Sequence, residues 1–240
     1  MSLLAPPEPP LHGYRGDVAS VPLTRPLGLT VAISRETGAR GGGIAKRVAQ
    51  ALGWQILNQE MMGFLTQNES ARAELLADVT PDAAAWADRQ VDRLLAERKI
   101  GGPEAVELIR LVFHIAARGE VVLVGRGAGI LLPPETTLNV RVVAPLDQRI
   151  AYIGQWLRMT AEEAADEVEA RDRVRSAMHA ALASRDPADL TQYDLVLNSG
   201  RLGEAVAAEL IVQAVRAKHL PSDGRDPFLG NGIDDPVDPI

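Results

Sequence analysis

The sequence contains no cysteine. That absence excludes a disulfide framework, a metal site built on thiolates and a cysteine nucleophile. Histidine is also scarce, and its copies lack the spacing of metal ligands: they are His12, His114, His179 and His219. The sequence therefore predicts no histidine metal site, and it leaves the ligands of any bound metal unknown.

Long apolar runs and an excess of positive charge are missing as well. No stretch approaches the roughly 20 apolar residues that span a bilayer, and the N-terminus lacks a basic segment followed by an apolar core. The formal net charge is −7, which argues against a broadly basic surface for nucleic acid. We therefore expect a cytoplasmic protein that binds neither membrane nor nucleic acid, and we keep a homo-oligomer open. Any bound anion must meet a local cationic pocket.

Proline and apolar residues divide the chain into one folded unit and two tails. The 240 residues, of which 46 % are hydrophobic, suffice for one α/β domain with a lid or insertion. Residues 1–28 are rich in proline and lack a sustained apolar period, so we expect a flexible leader. Residues 220–240 combine Asp, Gly and Pro with few apolar residues, which favours a disordered tail. The folded unit is predicted to cover residues 29–219.

Short apolar segments alternate with helical patterns along this unit. The first strand candidate, residues 29–34, stops at a glycine cluster, and a helical pattern begins at Ile44. Further strand candidates lie at residues 55–58, 121–124, 138–144 and 193–198. The alternation predicts an α/β fold, a doubly wound parallel sheet of about five strands with its site along one edge. A helical insertion is expected at about 60–118 and a lid region at about 147–175.

Glycines cluster between the first strand and the first helix, from Gly38 to Gly43. Such a loop suits phosphate, because glycine lets backbone N–H groups approach the oxygens and the helix N-terminus adds partial positive charge. Arg35 and Arg40 flank the turn and Arg126 follows a neighbouring strand, so three guanidinium groups are predicted to converge where phosphate would bind. The alternatives are a tight turn that packs helix on strand, and arginines that are solvated or paired with a neighbouring glutamate.

Several segments of the chain resemble the cytidylate kinase-like family of the P-loop nucleoside monophosphate kinase superfamily. They cover about residues 30–216 and read VAISRETGARGGGIAKRVAQALGWQILNQE, VVLVGRGAGILLP, NVRVVAPLDQRI, ARDRVR and YDLVLNSGRLGEAVAAELI. The first segment is similar to the opening strand, loop and helix of true cytidylate kinases. Gly41 falls where these enzymes have the Walker lysine, and Gly43 falls where they have a hydroxyl residue. The resemblance implies a P-loop kinase fold with a degenerate Walker A loop.

The resemblance also implies roles for individual residues. Nucleotide phosphates would be bound by Arg35, Gly38, Ala39, Arg40, Gly41, Gly42 and Gly43. Catalysis would depend on Arg40, Arg126 and Arg149, and binding of the monophosphate substrate on Arg126, Asp172 and Arg175. Arg40 is the first candidate to replace the missing lysine. The alternative for Asp172 and Arg175 is an ordinary i, i+3 ion pair on a helix surface.

The activity implied by the resemblance is ATP-dependent phosphoryl transfer to a nucleoside monophosphate such as CMP, with ATP and Mg²⁺ as cofactors. The ligands of magnesium stay open among Glu36, Asp172 and Asp194, acting through water. Because the lysine that stabilises the transferred group is missing, the alternative is a catalytically inactive nucleotide-binding regulator or scaffold of the same fold. Nucleotides are the expected partners in both cases.

Overall fold

A parallel sheet of five strands forms the centre of the molecule. The structure is a computed structural model that describes residues 26–98, 100, 102–125, 127–183 and 188–218. The strands are β1 (Thr30–Arg35), β2 (Gln55–Leu57), β3 (Val121–Val124), β4 (Thr137–Val143) and β5 (Leu195–Asn198). They lie in the order β2-β3-β1-β4-β5, and all neighbouring pairs are parallel. The predicted fold class, a doubly wound parallel α/β sheet of about five strands, is confirmed.

Helices connect these strands. They are α1 (Gly41–Leu52), α2 (Gln59–Gln67), α3 (Glu69–Leu75), α4 (Pro81–Glu97), α5 (Pro103–Arg118), α6 (Ala128–Leu131), α7 (Leu146–Leu157), α8 (Ala161–Ala183) and α9 (Ser199–Ala217). Short 3-10 turns lie at Pro134–Thr136 and Leu190–Gln192. Local chemistry sets several boundaries: Gly53, in the left-handed conformation, ends α1, while the side chains of Asn58 and Thr80 accept backbone N–H bonds and cap α2 and α4.

Hydrophobic cores cover the two faces of the sheet. On one face, Ile33 of β1 packs with Ile44 of α1 and Ile211 of α9. On the other face, Leu123 of β3 belongs to the core that includes Phe113 of α5 and residues of α2, α4 and α6. Because both faces are covered, the central strands read in sequence as continuous apolar runs. This burial explains why the strand candidates could be found from sequence.

Parts of the sequence-based prediction lie outside the described residues. These are the tail at 220–240, Arg126 and all but the last three residues of the leader at 1–28. The boundaries of the folded unit therefore stay a prediction. In the part of the chain that the structure describes, no helix combines the length and the apolar character needed to cross a membrane.

The carboxyl ends of β1, β3 and β4 meet at one edge of the sheet. Ile33 of β1 pairs with Val124 of β3 and Val140 of β4, and Arg35 pairs with Val142 of β4. This register brings together the glycine loop after β1, the turn after β3 and the junction between β4 and α7. Open α/β sheets bind their ligands at this edge.

Candidate functional site

The glycine loop, residues 36–43, joins β1 to the first turn of α1. Gly38 has a φ of 81°, and a Cβ atom there would lie 2.5 Å from the carbonyl oxygen of Arg149, so glycine is required. Arg40 is the N-cap of α1 in the left-handed conformation, with a φ of 56°. Its guanidinium lies 5.0 Å from the centre of the Tyr152 ring. The unpaired N–H groups of the first turn of α1 can bind phosphate oxygens.

Arg149 of α7 lies beneath this loop and is 9 % exposed. Its Nε donates to the carbonyl oxygen of Ala144 at 3.2 Å, and its Nη1 donates to the carbonyl oxygen of Thr37 at 3.1 Å and to Oδ2 of Asp172 at 2.6 Å. Oε2 of Glu36 lies 3.5 Å from the same Nε. Arg149 was predicted to be catalytic. In the structure its N–H groups bond to the glycine loop, the end of β4 and α8, and so join these three elements.

Asp172 of α8 also holds the glycine loop. Its Oδ1 accepts the backbone N–H of Thr37 at 2.8 Å, while Oδ2 accepts the bond from Arg149. Arg175 donates to the Thr37 hydroxyl and lies 3.4 Å from Oδ1 of Asp172. Burial acts to raise the pKa of Asp172, but the hydrogen bonds from Thr37 and Arg149 outweigh it and lower the pKa. The Asp172–Arg175 pair is thus part of a network that reaches the loop, more than a surface ion pair.

Arg35, the last residue of β1, occupies the space beside Gly41. A Cβ atom at Gly41 would lie 2.8 Å from Cβ of Arg35 and 3.0 Å from its Cγ. Its Nη1 lies against Gly125 after β3, where a Cβ atom would come within 2.5 Å of it. The arginine side chain therefore fills the room that a side chain at position 41, the lysine position of true cytidylate kinases, would need.

The Arg35 guanidinium is half-buried and lacks a counterion among the described residues, with which it forms neither a hydrogen bond nor an ion pair. Burial, and to a smaller extent the positive charge of Arg175, lower the pKa of Arg35 to about 10. The group stays charged at neutral pH. A half-buried charge without a partner is costly, and a bound anion would offset that cost.

Two cavities meet at Arg35. The first, here called the loop cleft, is about 670 Å³ and is lined by the glycine loop, α7 and α8, with Tyr152, Trp156 and Val174 on its wall. The second, here called the sheet cavity, is about 190 Å³ and lies between the ends of β1 and β4, the turn after β3, α6 and α8. Arg35 and Arg175 line both cavities. A group bound at these two arginines can therefore contact ligands on either side.

Arg141 of β4 is a site residue that sequence reasoning missed. It lies opposite Ser34 of β1, is half-buried and lines the sheet cavity together with Arg35 and Arg175. Its positive charge contributes to lowering the pKa of Arg175, after the larger effect of burial. The available signal was a charged residue inside an otherwise apolar central strand, Val140-Arg141-Val142-Val143.

The remaining predicted site residues do not all line the two cavities. Arg40, Gly38 and the glycines at 41–43 line the loop cleft, and Asp172 lines the sheet cavity. The Ala39 side chain is fully buried in the core, so only its backbone faces the loop. Arg149 lines neither cavity, and Arg126 lies outside the described residues. The roles predicted for these residues stay predictions.

A magnesium cage built by the protein does not fit these residues. Within the described residues there is no group of three or more His, Asp or Glu that could hold a metal ion. The carboxylates of Glu36 and Asp172 are paired with Arg149, and that of Asp194 accepts the N–H of Asn139 at 2.6 Å and pairs with Lys218 at 3.0 Å. The carboxylates predicted as candidate magnesium ligands are thus engaged by partners within the protein.

A comparison with models of protein families identifies the family of this chain. The model of the cytidylate kinase-like family matches residues 30–201, well over half of the chain. The chain belongs to the cytidylate kinase-like family. Membership makes it a nucleotide kinase-like protein, in agreement with the resemblance found in the sequence.

Individual relatives share moderate identity with the chain. A cytidylate kinase of Ignicoccus hospitalis is 31 % identical over 49 % of this chain and 69 % of its own length. A cytidylate kinase of Methanopyrus kandleri is 27 % identical over 46 % of this chain and 62 % of its own length. Among solved structures, an uncharacterized protein of Eubacterium ventriosum matches with a TM-score of 0.55 and 17 % identity, over 79 % of this chain and 98 % of that one. This last likeness concerns the fold alone.

Proposed function

We propose that the protein transfers the γ-phosphoryl group of ATP to a nucleoside monophosphate such as CMP. The observation that carries this proposal is the position of Arg35 and Arg175, which line both the loop cleft and the sheet cavity. Two phosphate-bearing ligands, one in each cavity, would meet at these guanidinium groups. Phosphoryl transfer needs such a meeting of donor and acceptor, with fixed positive charge around the transferred group.

In the proposed reaction, a phosphate oxygen of the monophosphate attacks the γ-phosphorus of ATP. The bond between the γ-phosphorus and the bridging oxygen breaks, its electron pair leaves with ADP, and the products are ADP and a nucleoside diphosphate. The N–H groups of the glycine loop would hold the ATP phosphates in the loop cleft. Arg35 would stabilise the negative charge that spreads over the transferred group. Magnesium would enter with ATP as part of the substrate.

Arg35 is better placed than Arg40 to act in place of the missing lysine. The Arg35 side chain fills the space beside Gly41 and reaches Gly125, between the two cavities. Arg40 is exposed and its guanidinium lies over Tyr152, on the α7 side of the loop cleft. We therefore assign Arg35 to the transferred group and Arg40 to the outer phosphates of ATP.

A catalytically inactive nucleotide-binding regulator is the second candidate. The observation that favours it is that the carboxylates of Glu36 and Asp172 are both engaged by Arg149. Such a protein would bind nucleotides through the same arginines without consuming them. A cytoplasmic location and homo-oligomeric assembly also stay proposals, which cell fractionation and light scattering would test.

The deciding experiment is coupled ADP production with ATP, magnesium and a panel of nucleoside monophosphates, in the wild type and in Arg35→Met. We expect turnover with one pyrimidine monophosphate, and a loss of about 100-fold or more in kcat for the variant, because one preorganised donor to the transferred group is removed. Arg173→Met is the control, since Arg173 is 72 % exposed and pairs with Glu169 on α8. Nucleotide binding without turnover would favour the regulator.

A position swap sharpens this test. Gly41→Lys alone should damage the loop, because the new side chain would collide with Arg35. Combining Gly41→Lys with Arg35→Gly clears that space, and we expect the pair to recover part of the kcat that is lost in Arg35→Gly. If the double variant is no better than Arg35→Gly, Arg35 does not act in place of the lysine.

A further inference from the structure

We propose that Arg141 is a further phosphate ligand of the sheet cavity, where it and Arg175 hold the phosphate of a monoester dianion and Arg35 lies at the boundary with the loop cleft. Only the identification of that anion as the acceptor of phosphoryl transfer rests on the proposed function. The site itself follows from the placement of Arg141, to which no role has been given so far.

Arg141 stands at an unfavourable place for a charge. Its neighbours along β4, Val140 and Val142, are fully buried, and the strand lies between β1 and β5 within the sheet. The Arg141 side chain is half-buried, yet it forms no hydrogen bond and no ion pair with any described residue. Partial burial of an unpaired charge costs stability, and an anion bound beside it would offset that cost.

The other charges around the sheet cavity do not supply that anion. Its lining includes the carboxylates of Glu36 and Asp172, and both are engaged by Arg149 from the far side of the loop. Arg175 lines the same cavity, and the positive charge of Arg141 contributes to lowering its pKa, after the larger effect of burial. Adjacent guanidinium groups offer several N–H donors in planar forks, which match the oxygens of a phosphate dianion.

The other residues that line the sheet cavity indicate which kind of ligand would carry the phosphate. Beyond the arginines, the sheet cavity is bordered by Ile33, Ile130 and Met178 and by the uncharged side chain of Ser176. The cavity is small, at about 190 Å³. These features suit a compact, uncharged body that carries one phosphate, such as a nucleoside monophosphate or a sugar phosphate, better than a triphosphate.

The test compares wild type with Arg141→Met in thermal unfolding and in calorimetric titration with inorganic phosphate. Samples without phosphate carry sodium chloride at matched ionic strength. We expect phosphate to raise the Tm of wild type, because a ligand that binds only the folded state stabilises it. Arg141→Met should have a Tm without phosphate equal to or above that of wild type, and its phosphate Kd should be weaker by about tenfold or more.

Arg173→Met provides the matched control, because it removes the same charge from an exposed position on α8. It should bind phosphate as wild type does. If Arg141→Met does not fold, Arg141→Lys keeps the charge and loses only the planar fork, and a several-fold weaker Kd is expected for it. Unchanged affinity in the methionine variant, or in the lysine variant when it must replace it, overturns the site.

Two further outcomes bear on the site. A wild type whose Tm does not respond to phosphate overturns it, and so does an Arg141→Met variant that is less stable than wild type without ligand, because Arg141 would then be a structural residue. Arg141-dependent phosphate binding without ADP production from any nucleoside monophosphate supports the site while it contradicts the kinase activity. The two proposals can thus fail separately.

Discussion

Asp172 connects the glycine loop to α8 through charged hydrogen bonds, and its ionisation should control that connection. Its carboxylate accepts bonds from the Thr37 N–H and from Arg149, which lower its pKa from the ordinary value of 3.8 against the opposing effect of burial. A carboxylate whose pKa is depressed in the folded state stabilises the fold above its unfolded pKa, and that stability is lost as the pH falls through the folded pKa.

We therefore predict that Asp172→Asn lowers the free energy of unfolding at pH 7 by about 1–3 kcal/mol, since hydrogen bonds to a charged group are replaced by weaker ones. The difference from wild type should be constant from pH 7 to about pH 5 and should shrink below about pH 4, where the carboxyl group of the unfolded state binds a proton before the folded carboxylate does. Urea unfolding across this pH range measures the difference in the free energy of unfolding.

The matched control is Asp166→Asn, an exposed position on the same helix, whose free energy of unfolding should differ little from that of wild type at any pH. A stability difference between Asp172→Asn and wild type that stays constant down to the lowest accessible pH would contradict the role of the Asp172 charge.

Individual side chains show how far sequence reasoning reaches at this scale. Arg35 was predicted beside the loop because it directly precedes the glycine turn along the chain. The burial of Arg149 could not be predicted, because it depends on bonds to Thr37 and Asp172, which are 112 and 23 residues away in sequence. Arg141 was missed because its place beside Arg175 follows from the register of β4 in the sheet, which the sequence does not state.

At the scale of the element, the glycine loop is shaped by close backbone contacts. Gly38 combines a positive φ with a backbone approach to Arg149, whereas Gly42 lies in the first turn of α1, where an added Cβ atom would meet nothing within 4 Å. The two glycines are four residues apart, so a single loop offers a required glycine and a replaceable one.

We predict that Gly38→Ala destabilises the protein by about 1–3 kcal/mol or more, because it adds a strained φ and a steric clash with α7. Gly42→Ala should be neutral or should stabilise by up to about 1 kcal/mol, because alanine favours the helix and restricts the unfolded chain. Chemical denaturation of both variants measures the difference. Equal stability of the two would mean that the turn at Gly38 is not held as the structure shows.

The elements themselves were largely predictable. Apolar, β-branched strands buried on both faces and a glycine turn before a helix are local patterns, and they predicted β1, α1, β3 and β4 to within a few residues. The last strand was predicted from residue 193 and begins at Leu195, since Tyr193 and Asp194 belong to the turn before it. The meeting of α8 with the glycine loop is a tertiary contact, and no local pattern in either segment indicates it.

At the scale of the whole molecule, α8 is held less firmly than the sheet. Among its residues with described side chains, Ala164 and Val168 are the buried apolar ones, and they pack in a small cluster with Ile153 of α7. The remaining attachment of α8 to the sheet edge includes the polar bonds of Asp172 and Arg175 to Thr37. Because α8 lines both cavities, a ligand bound at the arginines would add to this attachment.

We predict that ligand binding slows amide hydrogen exchange selectively in α8. Few apolar contacts hold this helix, so it should open locally without unfolding of the sheet, and its exchange in the free protein should be faster than that of β1 and β3. If opening requires release of the ligand, exchange in α8 should slow by about 100-fold when the ligand concentration is about 100 times its Kd. Hydrogen exchange measured by mass spectrometry, with and without ATP and CMP, tests this.

The matched control is Arg175→Met, in which the slowing should be much smaller because the contact that α8 shares with both ligands is removed. Equal slowing in α5, which packs in the core around Phe113, would instead mean that the ligand stabilises the whole fold and that α8 does not open on its own.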